Sequence, residues 1–235
     1  QLGYSTTLST GRGYASVKHA LGEQFDAVIS DDALIILDQG TRVCTKQGET
    51  VFAERISEEE IAHVIDFIRA NISLVQFCYY NPEAPGSKQQ LWLEEPAILE
   101  IELERRKAYA EGTTGTLAEL KERLRTKGIS QLECRLKSHI YVQNLKLGLH
   151  HSPLSILFQD QKMSFLKNNV NKGLAILYIM KHFNIDYEYV IVAGNAVNDI
   201  EMLDLSVGKR ILVGPKDERD AVLGYLSNTS DVTEV

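Results

Sequence analysis

The stretch Val190-Ile191-Val192-Ala193-Gly194-Asn195-Ala196-Val197-Asn198-Asp199-Ile200-Glu201-Met202-Leu203 decides the fold. Its first four residues are apolar and either β-branched or small, which predicts a short buried strand of the parallel type. A polar turn, Gly194 to Asp199, follows at once, and then a helix with Asp199 and Glu201 in its first turn. In an open α/β sheet, ligands lie in the crevice beyond the carboxyl ends of the strands. A carboxylate and two carboxamides in such a turn therefore stand where chemistry is usually done.

Outward from this stretch the same texture continues on both sides. Lys172 to Phe183 predicts a helix with Leu174, Leu177, Tyr178 and Lys181 about a turn apart. Downstream, Ile200 to Leu205 predicts a helix, Arg210 to Val213 a strand ending at Gly214-Pro215, and Asp217 to Leu226 a last helix. At the amino end, Tyr4 to Ser9 predicts a strand and Thr10-Gly11-Arg12-Gly13 a tight turn. Tyr14 to Leu21 then predicts a helix, Phe25 to Ser30 a second strand, and Ala33 to Leu37 a third, turning at Asp38-Gln39-Gly40. Alternation of strand and helix at both ends predicts a parallel sheet built from βαβ units.

The middle of the chain differs. Ser57 with Glu60 forms a capping box ahead of a helix that places Ile61, Val64, Ile65 and Ile68 on one face. Leu74 to Tyr80 predicts a strand, Asn81 to Ser87 a loop with two of the five prolines, and Leu91 to Leu93 the returning strand. Glu94 to Gly112 is charged and helical after Pro96, its acidic run being a solvated face. Thr116 to Lys127 predicts an amphipathic helix (Leu117, Leu120, Leu124) closed by Gly128. Gln131 to Leu147 predicts one or two strands, as do Leu154 to Phe158 and Met163 to Leu166. Helices and hairpins without βαβ order predict an inserted α+β domain over 55–167, between core segments 1–54 and 168–235.

Composition sets the outer limits. A chain of 235 residues, 44% hydrophobic and 24% charged, is long enough for one large or two modest globular domains. A formal charge of −7 argues against nucleic acid or an anionic membrane as the main partner. No apolar run approaches the roughly 20 residues that span a bilayer, and no signal peptide is visible. Cys44, Cys78 and Cys134 lie far apart in no metal-ligand spacing, which predicts reduced thiols and a cytoplasmic setting. His150-His151 has no carboxylate or thiol at ligand spacing and predicts a surface loop. Trp92 predicts core packing.

Three polar clusters fall at strand-to-helix junctions or helix starts. Thr10-Gly11-Arg12 offers a hydroxyl and backbone N–H groups at a helix amino end, an anion site by its dipole. Lys172-Gly173 offers an ammonium. The turn from Gly194 to Asp199 offers oxygens suited to a hard cation such as Mg²⁺. Hydroxyl, ammonium and carboxylate together are the groups that stabilise developing charge on phosphoryl oxygens.

Thr10-Gly11-Arg12, Lys172-Gly173 and Gly194-x-x-x-Asn198-Asp199-x-x-Met202-Leu203 resemble the second, third and fourth motifs of the haloacid dehalogenase superfamily. The nearest likeness is to its Cof-type and sucrose-phosphatase-like branch, whose α+β cap is inserted between the second and third motifs. The gap of about 160 residues between Thr10 and Lys172 suits that cap. The resemblance implies an α/β fold: a doubly wound, mostly parallel Rossmann-like core with an inserted cap. It implies a Mg²⁺-dependent phosphatase of small, sugar-like phosphate monoesters. On this likeness Thr10 and Gly11 bind the phosphate, with Thr10 and Lys172 as catalytic residues. Lys172 neutralises charge and Asn198 orients the group. Asn195 and Asp199 belong to the metal side.

Two departures accompany the likeness. The family nucleophile, the first Asp of an Asp-x-Asp-x-Thr motif preceding Thr-Gly-Arg, is not among these residues, so upstream residues carrying it and its strand are expected. Asn195 stands where the family usually has a metal-binding Asp, which weakens a Mg²⁺ site. A smaller departure is Ser30-Asp31-Asp32-Ala33, where relatives often show Asn-Gly-Ala. The alternative is a catalytically impaired relative that binds a sugar phosphate or a protein partner, as part of a larger polypeptide. A flavodoxin-like domain would explain the βαβ ends but neither the insertion nor Lys172-Gly173.

Overall fold

The amino-terminal segment, expected to be a strand, makes an isolated parallel bridge among the described residues. Ser9 bridges Ile36, with the Ile36 amide donating to Leu8 O at 2.8 Å and the Thr10 amide to Ile36 O at 3.0 Å. In this computed structural model, residues 6–93, 96–138, 140–141, 145 and 152–235 are described. The chain divides into two compact units, Gln1–Asn169 and Val170–Val235.

In the first unit the chain passes from Thr10 into α1 (Tyr14–Leu21), which turns Val17 into a small core with Phe25, Ile29, Ile35 and Leu37. The strand expected at Phe25 to Ser30 is instead a 3-10 turn followed by the short helix α2 (Phe25–Val28). The reason is spacing: Phe25 and Ile29, four apart, are both buried, whereas Val28 is exposed, a helical and not an alternating pattern. The expected third strand is β1 (Leu34–Leu37), buried at all four positions. It pairs antiparallel with β2 (Arg42–Thr45), which pairs with β3 (Thr50–Ala53). Those last two strands were not legible from pattern, because their residues are mixed in polarity and short in run.

A six-stranded sheet makes up the rest of this unit. Its strands are β4 (Val75–Tyr80), β5 (Gln89–Leu93), β6 (Ala110–Thr114), β7 (Gln131–Leu136), β8 (Leu154–Gln159) and β9 (Lys162–Lys167). They lie in the order β6-β5-β4-β7-β9-β8. Only the β5–β6 pairing is parallel. Alternation along the strands sends Cys78, Tyr80, Trp92, Cys134 and Phe165 to one face. There they pack with Ile61, Val64, Ile65 and Ile68 of α3 (Glu58–Ala70) and with Leu120 and Leu124 of α5 (Leu117–Lys127). Trp92 is thus a core residue, as expected. The other face carries Phe77, Tyr79, Leu91 and Leu93, with Leu103 of α4 (Pro96–Arg106) against them.

Several expectations are refined here. The acidic run is not uniformly solvated, since Glu102 is buried and held by Arg105 and Arg106. Strand β6 was hidden inside a charged segment with a glycine. Among the described residues from Gln131 to Leu147, Gln131–Leu136 are strand, and Ile140, Tyr141 and Leu145 are helical. His150-His151 and the beginning of the expected first strand lie outside the described residues.

The second unit is βαβ in kind. It contains α6 (Lys172–Phe183), β10 (Ile191–Gly194), α7 (Ile200–Leu203), β11 (Lys209–Leu212), α8 (Lys216–Leu223) and β12 (Val232–Glu234). Its sheet order is β10-β11-β12, all parallel, with Gly194 opposite Leu212. Val192, Met202, Leu203 and Leu212 are buried. Among the described residues β10 pairs only with β11, and no helix is long and apolar enough to cross a membrane.

Candidate active site

Lys172 opens α6, where Asn171 at the N-cap accepts from the Leu174 amide at 2.9 Å through its Oδ1. That cap fixes the first turn and sends the Lys172 side chain inward, where it is 5% exposed. Its Nζ donates to Asp199 Oδ1 at 2.6 Å. Asp199, also 5% exposed, ends the turn that follows β10, and its Oδ2 accepts from the amides of Asn195 (3.0 Å) and Ala196 (3.2 Å). So an ammonium on one side and two backbone N–H groups on the other hold the carboxylate in one orientation. Charge-assisted bonds of this kind are short and strong, and burial makes each one costly to break.

Two glycines permit this arrangement. A Cβ on Gly194 would lie 2.7 Å from the Asp199 Cβ, and one on Gly173 would lie 2.5 Å from the Glu201 carbonyl oxygen. Both distances are below what real side chains show, so the turn and α6 close on each other only because these positions carry hydrogen.

A magnesium ion is the cofactor the family likeness implies, with Asn195 and Asp199 on its side. Asp199 has both oxygens engaged, by Lys172 and by two amides. Asn195 is exposed and offers a neutral carbonyl. Among the described residues no three of His, Cys, Asp and Glu come together as a metal set. These residues do not by themselves make a divalent-cation site, since hard cations take several oxygen ligands, mostly anionic. Asn198 is half-buried on the one-turn helix between Ala196 and Asp199.

In the first unit, Thr10 and Gly11 directly follow the isolated bridge between Ser9 and Ile36. The Thr10 Oγ1 accepts from the Arg12 amide at 3.2 Å, a local turn, and the exposed Arg12 donates to Ser16 Oγ at 3.3 Å. Gly13 at the N-cap of α1 has no side-chain cap, and no acid sits in its first turn. An uncapped helix start keeps its N–H groups available to an anion.

Beside this turn is a group that sequence reasoning missed. Asp38 is fully buried, and its Oδ1 accepts from Asn81 Nδ2 at 2.7 Å. Arg42, 3% exposed, brings its Nε to 3.2 Å from the other oxygen and donates through Nη1 to Pro82 O at 2.9 Å. Burial lifts the Asp38 carboxyl to about 6, against the opposing pull of Arg42 and Asn81. The Asp38-Gln39-Gly40 turn itself was expected, but nothing in its pattern showed that the acid turns inward.

The family model of the haloacid dehalogenase-like hydrolases matches residues 1–218. A relative, the HMP-PP phosphatase of Cronobacter sakazakii, is 27% identical over 223 residues, covering 91% of this chain and 73% of its own. Among solved structures, TM0651 of Thermotoga maritima superimposes with a TM-score of 0.69 at 17% identity, covering 98% of this chain and 79% of its own. The subclass IIB sugar phosphatase BT4131 gives 0.71 at 19% identity, covering 99% and 80%. At those identities the two structures establish a shared fold, an α/β Rossmann-like core. With the family model spanning nearly all of its length, this chain belongs to the haloacid dehalogenase-like hydrolases.

Proposed function

We propose that this hydrolase acts on small phosphate monoesters of sugar-like alcohols. The observation that carries the reading is the buried Lys172–Asp199 pair at the end of a parallel strand, a fixed ammonium beside a turn rich in backbone N–H groups. The HMP-PP phosphatase and the sugar phosphatase BT4131 support the choice of reaction, and favour it over a domain that only binds.

In this reading Thr10, with the Gly11 backbone, grips the phosphoryl oxygens, and Lys172 counters the charge that gathers on them in the transition state. Asp199 keeps the ammonium aimed. Asn198 orients the phosphoryl group. Segments 1–54 and 168–235 form the core and 55–167 the cap, which excludes water and selects the alcohol. The setting is the cytoplasm.

The test is hydrolysis of a panel of phosphate monoesters by the full-length protein, with and without Mg²⁺, beside a Lys172→Ala control. Turnover of at least one ester, reduced by a factor of about 10² or more in the control, is expected for loss of one charge-stabilising donor. Equal rates in both proteins would reject the reading.

A further inference from the structure

The turn after β1 is strained and clamped in an unusual way. Asp38 and Gln39 have φ values of 52° and 62°, so two consecutive residues with side chains occupy the left-handed region. Single visits there are tolerated by Asp and Asn; two in succession need support from their surroundings. The strained turn grips the Thr10 segment directly. The Asp38 amide donates to Arg12 O and the Gln39 amide to Thr10 O, both at 3.2 Å. Gln39 also lies so close over Gly11 that a Cβ there would be 2.2 Å from its Nε2.

What holds the turn comes from the six-stranded sheet. Asn81 follows β4, donates to Asp38, and accepts from Gln89 Nε2 at 3.4 Å. Its side chain also rests on the backbone of Gly13, where an added Cβ would be 2.2 Å from Asn81 Cγ. The next residue, Pro82, is held by Arg42, and Glu83 is held by Arg55 at 2.8 Å and by Thr50. The end of β4 is therefore tied to the Thr10 segment through one buried carboxylate.

We propose that Asp38 is a positioning residue that sets the Thr10–Arg12 turn according to where the six-stranded sheet places Asn81. This rests on the reading of Thr10 and Gly11 as the phosphate-binding turn. Asp38 touches no reacting atom; it transmits the position of the cap sheet to the turn that grips the phosphoryl group. Groups facing it are Arg42 and Asn81 in contact, with Glu83 and Glu133 acting at longer range.

The experiment uses the full-length protein with Asp38→Ala, Asp38→Asn, Asn81→Leu and the Asp38→Ala/Asn81→Leu double variant. Asn keeps both the left-handed preference and an acceptor for Asn81; Leu fills the volume of Asn81 without donating. Amide hydrogen exchange at Asp38 and Gln39 is expected to quicken at least tenfold in Asp38→Ala and in Asn81→Leu. Exchange in Asp38→Asn is expected to stay within about threefold of wild type, and amides of the helix containing Ile65 to be unchanged. With a phosphate ester, KM rises more than kcat falls, and the double variant is no worse than the worse single one, as for members of one linkage.

Unchanged exchange at Asp38 and Gln39 in Asn81→Leu overturns the proposal, as do losses that multiply in the double variant. If Asp38→Ala does not fold, Asn81→Leu decides alone. Faster exchange in a protein that hydrolyses no ester removes the phosphatase reading and leaves the clamp standing.

Discussion

At the scale of single residues, two buried carboxylates are held by different partners. Asp199 is fully provided for, with one ammonium and two amides on its oxygens. Removing either partner of the Lys172–Asp199 pair leaves the other charge buried and alone, at a cost of about 3–5 kcal/mol. Lys172→Met is therefore expected to lower the unfolding free energy by that amount, and Lys172→Met/Asp199→Asn to recover much of the loss, as denaturant melts would measure. A double variant as unstable as the single one would show that the pair's charges are not what matters. Asp38 has its carboxyl raised from 3.8 to about 6 by burial. The folded protein then binds a proton that the unfolded chain has released between pH 4 and 6, so this group's contribution to stability falls as pH rises through that window. Two pKa units correspond to something on the order of 3 kcal/mol. Stability curves of wild type and Asp38→Asn should accordingly diverge in slope between pH 4 and 6 and run parallel above 7. Parallel curves throughout would mean that Asp38 titrates as an ordinary carboxyl.

At the scale of elements, the local chemistry of helix starts was the most legible feature of the chain. Ser57 accepts from the Glu60 amide at 3.2 Å while Glu60 bonds the Ser57 amide at 2.7 Å, and Thr116 with Glu119 repeats the device. Each box satisfies two orphan donors, so Ser57→Ala should cost about 1 kcal/mol, measurable as a lower denaturant midpoint with unchanged slope. The bounds of α1 and α6 were likewise readable, because Gly13 and Asn171 precede them and Gly22 and Asn184 follow. Sheet pairings were harder to foresee. Residues Ala110-Glu111-Gly112-Thr113-Thr114 carry no strand pattern of their own and form β6 only by lying parallel to β5. The short apolar run at Phe25 could be helix or strand until packing chose the face. At the candidate site, Lys172, Asn195, Asn198 and Asp199 were visible as polar residues punctuating a βαβ pattern. Asp38 and Asn81 were not, since their meeting joins a turn to a distant strand end 43 positions away.

At the scale of the whole molecule, charge and site pull in different directions. The chain carries a formal −7, so a phosphate ester approaching from solution meets net repulsion at long range. Close in, the ammonium of Lys172 is matched by Asp199 at 2.6 Å, and the pair presents little net charge beyond a few ångströms. In the first unit the short-range donors are the uncapped N–H groups at the start of α1, whose bonds salt screens poorly. Screening reaches about 10 Å at 0.1 M salt, enough to remove the long-range repulsion and leave the local bonds untouched. Raising KCl from about 20 to 200 mM should then increase kcat/KM for a phosphate monoester, by about twofold or more, with kcat itself nearly constant. A steep fall with salt would mean instead that a cationic field steers the substrate, and the exposed Arg12 beside Thr10 would be the group to neutralise next.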